Sequence, residues 1–595
     1  MRLASLESAM NRSSIPKSLT RVLPLAVALG LVLAIALPIG PARIDFRPKS
    51  VALGIAWAVV MSTIALAYLK FLSNRPGGTS VPPVVKSSWW TLSLPSICLW
   101  TVILVAFWPG LLSPDSLEQW NEMVTGNYDT WHPVFHTLLN WLITRLVFSP
   151  AAIAFVQIVF LALVCAWALG YFREKGLSPA PAWALAGAIA LIPTNGIMAI
   201  TLWKDVPFSI ASLWLTVLLL KIIDSRGAYL SRKSRILAVS VAIACVYLLR
   251  HNGFLFVVPA IAVLVYASSA NRTKSCLAAG IGIFLIGMVV GPMYSLLKVR
   301  RVSLPVEAML AVHVFAAHVA AGTVLRPEQQ FLRDTIRKRE DWWYECASVG
   351  GLFFDGRSDP NLIYRHANDL AKAAVDLSLH SPLTTLRHLI CMGSYLYRVR
   401  PLANVGYVEG LWVAFEEDGA LERFRPEKYG FKFSLSRKPL LDARYARAIY
   451  RATSDPKIAW LTLRPATYLL FLLVGIISLA VRFRAPRVLL VLLPHLVNSV
   501  SLSLFGPGHT FRYMYPLVLA GLAIGLPALA LSLQRPPLAA GLEGRERGSS
   551  QSLMRREIRA PNEGAGCAME PEAERLNEPF ERVSEPTGQQ SEHLP

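Results

Sequence analysis

Charge is what this 595-residue chain has little of: 16% of its residues are Asp, Glu, Lys or Arg, against roughly 25% in an average soluble protein. Together with 54% hydrophobic residues and a mean hydropathy of +0.44, that shortage excludes an ordinary water-soluble globule. The solvent implied for most of the chain is lipid. Seven cysteines make no disulfide framework, because Cys98, Cys165, Cys245 and Cys276 fall in or beside apolar runs and Cys567 lies in the C-terminal tail. Cys346 and Cys391 can form one bridge, although nothing in the sequence requires it. Acid is scarcer than base, with 38 Asp and Glu to 59 Lys and Arg, yet the basic residues sit in short loops beside apolar runs rather than on a continuous face. This distribution excludes nucleic acid as a partner and points to anionic headgroups of membrane lipids. No internal repeat is recognisable. The first apolar run lacks an A-x-A cleavage site and is long for a signal peptide, so it reads as an uncleaved span.

What is present is a series of apolar runs, several reaching the roughly 20 residues with which a helix crosses a ~30 Å hydrocarbon layer while satisfying its own backbone. Spans are expected at about 22–40, 51–69, 89–108, 151–171, 179–199, 206–222, 236–250, 254–268, 275–296, 463–481, 488–504 and 513–533. The expected fold is an all-α integral membrane protein of about 12 transmembrane helices. Residues 1–88 hold a cytoplasmic N-terminal segment and two extra spans, and 89–296 form a membrane core with an acidic external loop at 109–150. A mainly helical external domain, 297–462, has mixed charge and aromatic clusters and is inserted before the last three spans, 463–533. The tail, 534–595, is rich in Pro, Glu, Arg, Gly and Ser and is expected to be cytoplasmic and disordered.

Lys and Arg in short loops orient the chain. Placing the N-terminus in the cytoplasm puts Lys70/Arg75/Lys86, Arg173/Lys175, Lys221 to Arg235, Arg272/Lys274 and Arg482/Arg484/Arg487 inside, and the C-terminus with them. The loop 41–50, with Arg43, Arg47 and Lys49, breaks the pattern, but seven basic residues flank it on the inner side. The stretch 133–148 is apolar but short, and spanning there would invert every later loop; it is expected to lie on the external membrane surface.

Between Trp108 and His132 the third loop carries Asp115, Glu118, Glu122 and Asp129 but no Lys or Arg. Asp115 and Glu118 have the spacing of a helix capping box. A carboxylate there can also act as a base on an acceptor hydroxyl or bind a divalent metal, the one cofactor candidate in the chain. His132 and His136 are four apart near Pro133, a spacing that would place both on one helix face to hold zinc with a third ligand, or to contact a phosphate. TLWKDVPF places Lys204 and Asp205 at the membrane edge, where they need not pair with each other. RHNG places Arg250 and His251, and GHTFRYMYP places Arg512, at other external ends. One loop-charge topology thus brings acids and cations to a single membrane surface.

These residues resemble the GT-C superfamily, polytopic glycosyltransferases that use polyprenyl-phosphate sugars on the non-cytoplasmic face. The resemblance rests on PGLLSPDSLEQW, WHPVFHTLLNWL, WKDVPF, RHNG and RYMYP, covers roughly residues 89–300 and 500–533, and is nearest to uncharacterised bacterial members. It implies a bacterial inner-membrane enzyme that transfers a sugar from a polyprenyl-phosphate donor to an envelope acceptor such as a glycolipid, polysaccharide or protein. It also implies a catalytic role for Asp115, as base or metal-linked acid, and a lipid-phosphate contact for Arg512. The residues themselves add Asp205 to the catalytic set, and Lys204, Arg250, His251, His132 and His136 to the substrate-binding set. The chain departs from the pattern by having Asp115-Ser116 where protein mannosyltransferases have an adjacent acidic pair, and by lacking a WWD-type motif. A transporter or lipid flippase is the alternative from another class, and a polysaccharide ligase or polymerase, using an external Arg and His without an acid, is a third.

Overall fold

The computed structural model describes residues 17–38, 48–75, 88–302, 306–354, 357, 359–402, 448, 451–452, 455 and 457–534. The expected disordered tail and the stretch 403–447 of the expected external domain lie outside these residues. Among the described residues eight helices are long and apolar enough to cross a membrane: Pro48–Asn74, Trp89–Ala106, Pro150–Glu174, Asp205–Asp224, Arg272–Leu296, Pro465–Arg482, Pro486–Phe505 and Phe511–Leu533. Helices Pro179–Leu191 and Pro193–Ile200 make a ninth if counted as one span bent by 62°. The bend has a local cause. Pro193 has no N–H to give, and it holds Ile192 in an extended conformation (φ −64°, ψ 113°).

The chain is therefore a multi-pass helical membrane protein, and the finer expectation of twelve spans meets three shorter helices. The first expected span is helical over Lys17–Ala36, with its apolar part at Val22–Ala36. Lys233–Leu249 has 17 residues and Phe254–Ala267 has 14. Val134–Thr144, at 11 residues, is too short to cross. Many helices begin on proline, including those at Pro114, Pro150, Pro179, Pro193 and Pro465, where the missing N–H would have no partner anyway.

Helices Asp205–Asp224, Pro465–Arg482 and Phe511–Leu533 sit at the centre of one apolar core, with Phe208, Tyr468 and Tyr515 fully buried. Small residues let the backbones close up: a Cβ on Gly475 would collide with the Gly525 carbonyl. At the periphery, helix Pro48–Asn74 exposes Ile55, Val59 and Ile64, the surface a lipid-facing helix presents.

A second apolar core, around Val312, Phe315, Leu352, Phe353, Leu370 and Leu377, belongs to the helices Val306–Ala320, Gly350–Phe354 and Ala367–His380. This part of the expected external domain is helical as expected, and Cys346 is bridged to Cys391. Helix Pro382–Tyr397 ties it to the membrane part by packing on Pro465–Arg482 and Leu492–Phe505. It is also stitched to the loop before the last span: Val349 N donates to Pro507 O (2.9 Å), His509 N to Ala347 O (2.7 Å), and His509 Nε2 bonds Met392 O (2.9 Å).

Candidate functional site

After helix Trp89–Ala106 the chain turns at Gly110, whose φ of +118° suits glycine, and then runs beside the segment that follows Ile200. Leu111 N donates to Ile200 O and Leu202 N donates to Leu111 O, both at 3.0 Å, as a single parallel bridge. Side chains lock the pairing. Ser116 Oγ donates to Leu202 O (2.8 Å), Trp203 Nε1 donates to Ser113 Oγ (2.6 Å), and Gln157 Nε2 reaches Thr201 O (3.0 Å). PGLLSPDS and TLWKD, 90 residues apart at Ser113 and Trp203, thus meet along their backbones. Their charged residues are placed as a pair.

Helix Pro114–Thr125 is capped by Ser113 and Ser116, which form the capping box, and not by Asp115 and Glu118 as the spacing suggested. Pro114 at the first helical position keeps Ser113 extended (φ −129°, ψ 169°), the conformation a cap residue needs. The Asp115 carboxylate is thereby released from capping to face cations. Its Oδ2 accepts from Lys204 Nζ at 2.8 Å and from Arg512 Nη1 at 2.9 Å. Burial pushes the Asp115 carboxyl up, but the Arg512 and Lys204 cations outweigh it and hold it well below the usual carboxylate range.

Behind this group lies a buried pair. Arg250 Nη1 is 2.5 Å from Asp205 Oδ1, and Arg512 Nε is 4.0 Å from Asp205 Oδ2. Neither Asp205 oxygen is aligned as a hydrogen-bond acceptor, so the contact is ionic rather than directional. Aromatic rings wall the cations: Arg250 lies 4.4 Å from the Tyr513 ring centroid, and Arg512 lies 5.0 Å from that of Trp203. Three cations therefore face two carboxylates. On the outer side His132 bridges Lys204 Nζ (Nδ1, 3.0 Å) to Glu118 Oε2 (Nε2, 2.9 Å); an ammonium can only donate, so Nδ1 accepts and Nε2–H donates. His251 is exposed at the rim, with Nε2 3.3 Å from Trp131 O.

Asp115, His132, Lys204, Asp205, Arg250 and Arg512 thus come together as the loop topology implied. His136 does not join them. His132 precedes Pro133, the cap of helix Val134–Thr144, so the two histidines do not share the helix face that their spacing suggested. His136 is instead buried with Nδ1 3.0 Å from Gln119 Oε1, and burial drives it down to about 3. Among the described residues no three His, Cys, Asp or Glu are grouped to hold a metal. Asp115 does not fit a divalent ion either, since its close partners are cations.

One acid of the loop that the sequence did not single out has an unusual setting. Glu122 is buried, with Oε2 accepting from Thr137 Oγ1 (2.9 Å), Thr137 Oγ1 accepting from Gln119 Nε2 (3.2 Å), and Gln119 leading on to His136. Burial raises the Glu122 carboxyl to about 7. The available signal was its helical spacing, since Glu122 is seven residues beyond Asp115 in Pro114–Thr125.

No family model, curated protein or solved structure matches this chain. Its function is argued from the site.

Proposed function

We propose that this protein is a membrane glycosyltransferase that moves a sugar from a polyprenyl-phosphate donor to a hydroxyl of a cell-envelope acceptor, on the non-cytoplasmic face of a bacterial inner membrane, with both termini in the cytoplasm. The observation that carries the reading is the single Asp115 carboxylate held between Lys204 and Arg512. A donor phosphate at headgroup level is the natural competitor for those two cations. When it takes them, Asp115 is left half-buried without its counter-charges, and partial burial without a cation makes a carboxylate a stronger base. The acceptor hydroxyl then attacks the anomeric carbon, its oxygen forms the new C–O bond, and its proton passes to Asp115. The bond from that carbon to the phosphate oxygen breaks with its electron pair on the phosphate, which Lys204 and Arg512 hold. Arg250 keeps Asp205 neutralised and Asp205 in turn helps position Arg512.

The disulfide between Cys346 and Cys391 suits a non-cytosolic compartment for the region 297–462, and that region's attachment to the Arg512 loop favours a role in acceptor binding. The test is transfer from radiolabelled polyprenyl-phosphate sugars in membranes. Asp115→Asn is expected to lose about 100-fold or more of the rate, the usual worth of a positioned base. Full transfer by that variant removes Asp115 from the mechanism. Movement of a solute or lipid across the membrane without transfer favours the transporter or flippase.

A further inference from the structure

Arg512 has two sets of neighbours. Its guanidinium belongs to the membrane core, on Asp115 and beside the Trp203 ring. The backbone on either side of it is held by the region 306–397. Before Arg512, residues 507–509 are threaded between two segments of that region. His509 N donates to Ala347 O (2.7 Å), Val349 N donates to Pro507 O (2.9 Å), and Ser348 pairs with Gly508 in an antiparallel bridge. His509 Nε2–H donates to Met392 O at 2.9 Å. The His509 ring is 3% exposed and stacks on Tyr395, with centroids 4.8 Å apart and 9° between the planes. After Arg512, Met514 is buried in one cluster with Tyr395 and Leu502, and Tyr513 packs on that cluster. The Tyr513 ring in turn lies 4.4 Å from the Arg250 guanidinium and 5.2 Å from that of Arg512.

Two features make this socket specific. Gly508 has a φ of +146°, and a Cβ there would collide with the Ala347 carbonyl, so only glycine lets the chain pass this close. The disulfide is the second. Cys346 precedes Ala347 and Cys391 precedes Met392, so the bridge fastens to each other the two walls whose carbonyls hold His509. Without it those walls are joined only through a chain separation of 45 residues, and a cross-link removes the freedom of such a loop.

We propose that His509 is a positioning residue for Arg512, and that the socket closed by the Cys346–Cys391 bridge fixes where Arg512 meets Asp115 and the phosphate that competes for it. The mechanical link is short. Thr510 is extended (φ −106°, ψ 114°) and precedes the helix that begins at Phe511, so one extended residue and the first helical turn carry the placement of His509 to Arg512. A guanidinium holds a carboxylate or phosphate by directional hydrogen bonds, and a small displacement of the group that offers them weakens the match. The phosphate half of the proposal rests on the glycosyltransferase reading, and the ion-pair half does not.

Two measurements on the full chain test it. The first is a double-variant cycle on the unfolding temperature in detergent. His509→Ala and Asp115→Asn are expected to be non-additive, the second change costing less once the first is made, and to become additive in an Arg512→Leu chain. Additive losses with Arg512 in place overturn the positioning. The second is transfer from a radiolabelled polyprenyl-phosphate sugar. His509→Ala and Gly508→Ala are expected to raise the donor KM roughly fivefold, about the worth of one hydrogen bond, with kcat changed far less. His509→Gln keeps an N–H for Met392 O and is expected to recover part of the affinity. The double variant Cys346→Ser/Cys391→Ser is expected to raise the same KM, and adding His509→Ala to it to raise KM little further. Val312→Ala loosens the core of the same region away from the socket; it is expected to lower the unfolding temperature and leave the donor KM unchanged. An unchanged KM in His509→Ala, or an equal rise in Val312→Ala, overturns the proposal. An unsubstituted chain that transfers nothing removes the glycosyltransferase reading and the phosphate half with it, and the cycle then decides the ion-pair half.

Discussion

Asp205 is fully buried with Arg250 2.5 Å away, so each of the two depends on the other for charge compensation. Removing one partner leaves a bare charge in a low-dielectric site, a change that costs about 3–5 kcal/mol. Arg250→Ala is therefore expected to lower the unfolding temperature in detergent sharply, and the double variant Arg250→Leu/Asp205→Leu to recover much of the loss. Glu122 gives a pH prediction. Its carboxyl is raised from 4.5 to about 7, so the folded chain holds the proton more tightly than the unfolded one. The stabilisation is complete below the unfolded value and is lost as pH rises through the folded value. Thermal stability of the native chain is expected to fall across that window, and that of Glu122→Gln to stay flatter; parallel curves for the two refute the assignment. At this scale the sequence was partly legible. Asp115, Lys204, Asp205, Arg250 and Arg512 were found because charge at a membrane edge is costly without a partner. Which acid pairs with which cation was not legible, since neighbours such as Lys204 and Asp205 point to different partners, Asp115 and Arg250.

Among elements, the decisive one is the short parallel pairing of Leu111 with Thr201. Two peptide hydrogen bonds and the Ser113 and Ser116 side chains turn two unrelated loops into one platform. Gly110 is its weak point. A Cβ there would sit 3.1 Å from Ile200 O at a φ of +118°, strain of about 1–3 kcal/mol. Gly110→Ala is thus expected to lower the unfolding temperature by a few degrees and to reduce transfer more than stability, measured on the same membranes. Full transfer with unchanged stability would show that the platform does not set the Asp115 to Lys204 distance. Helices were easy to foresee because apolar runs and N-terminal prolines mark them, whereas this pairing has only two residues and no periodic pattern to mark it. The cap was misjudged for a related reason: SPDS contains three capping side chains, and Pro114 selects the one that precedes it.

For the whole molecule, the orientation carries the remaining prediction. Alkaline phosphatase fused after Gly126 is expected to be active, and fused after Arg232 inactive, because the enzyme matures only outside the reducing cytoplasm. The opposite pattern would place the Asp115 cluster on the cytoplasmic face and remove the proposed donor from reach. In the same membranes the intact chain is expected to run faster on a non-reducing gel than Cys346→Ser, and that variant to be less stable by roughly 2–5 kcal/mol.

Hydropathy by itself determined that this is a multi-pass helical membrane protein, because a helix in lipid must be apolar for nearly its whole length and that requirement is written residue by residue. Composition likewise marked the acidic loop and the separate region 297–462. Only the tertiary structure decided that PGLLSPDS lies against TLWKD, that Arg512, nearly 400 residues from Asp115, closes the same ion cluster, and that His136 turns away from it. Those facts depend on the directions in which side chains leave elements distant in sequence, and no local pattern encodes a direction relative to a distant partner.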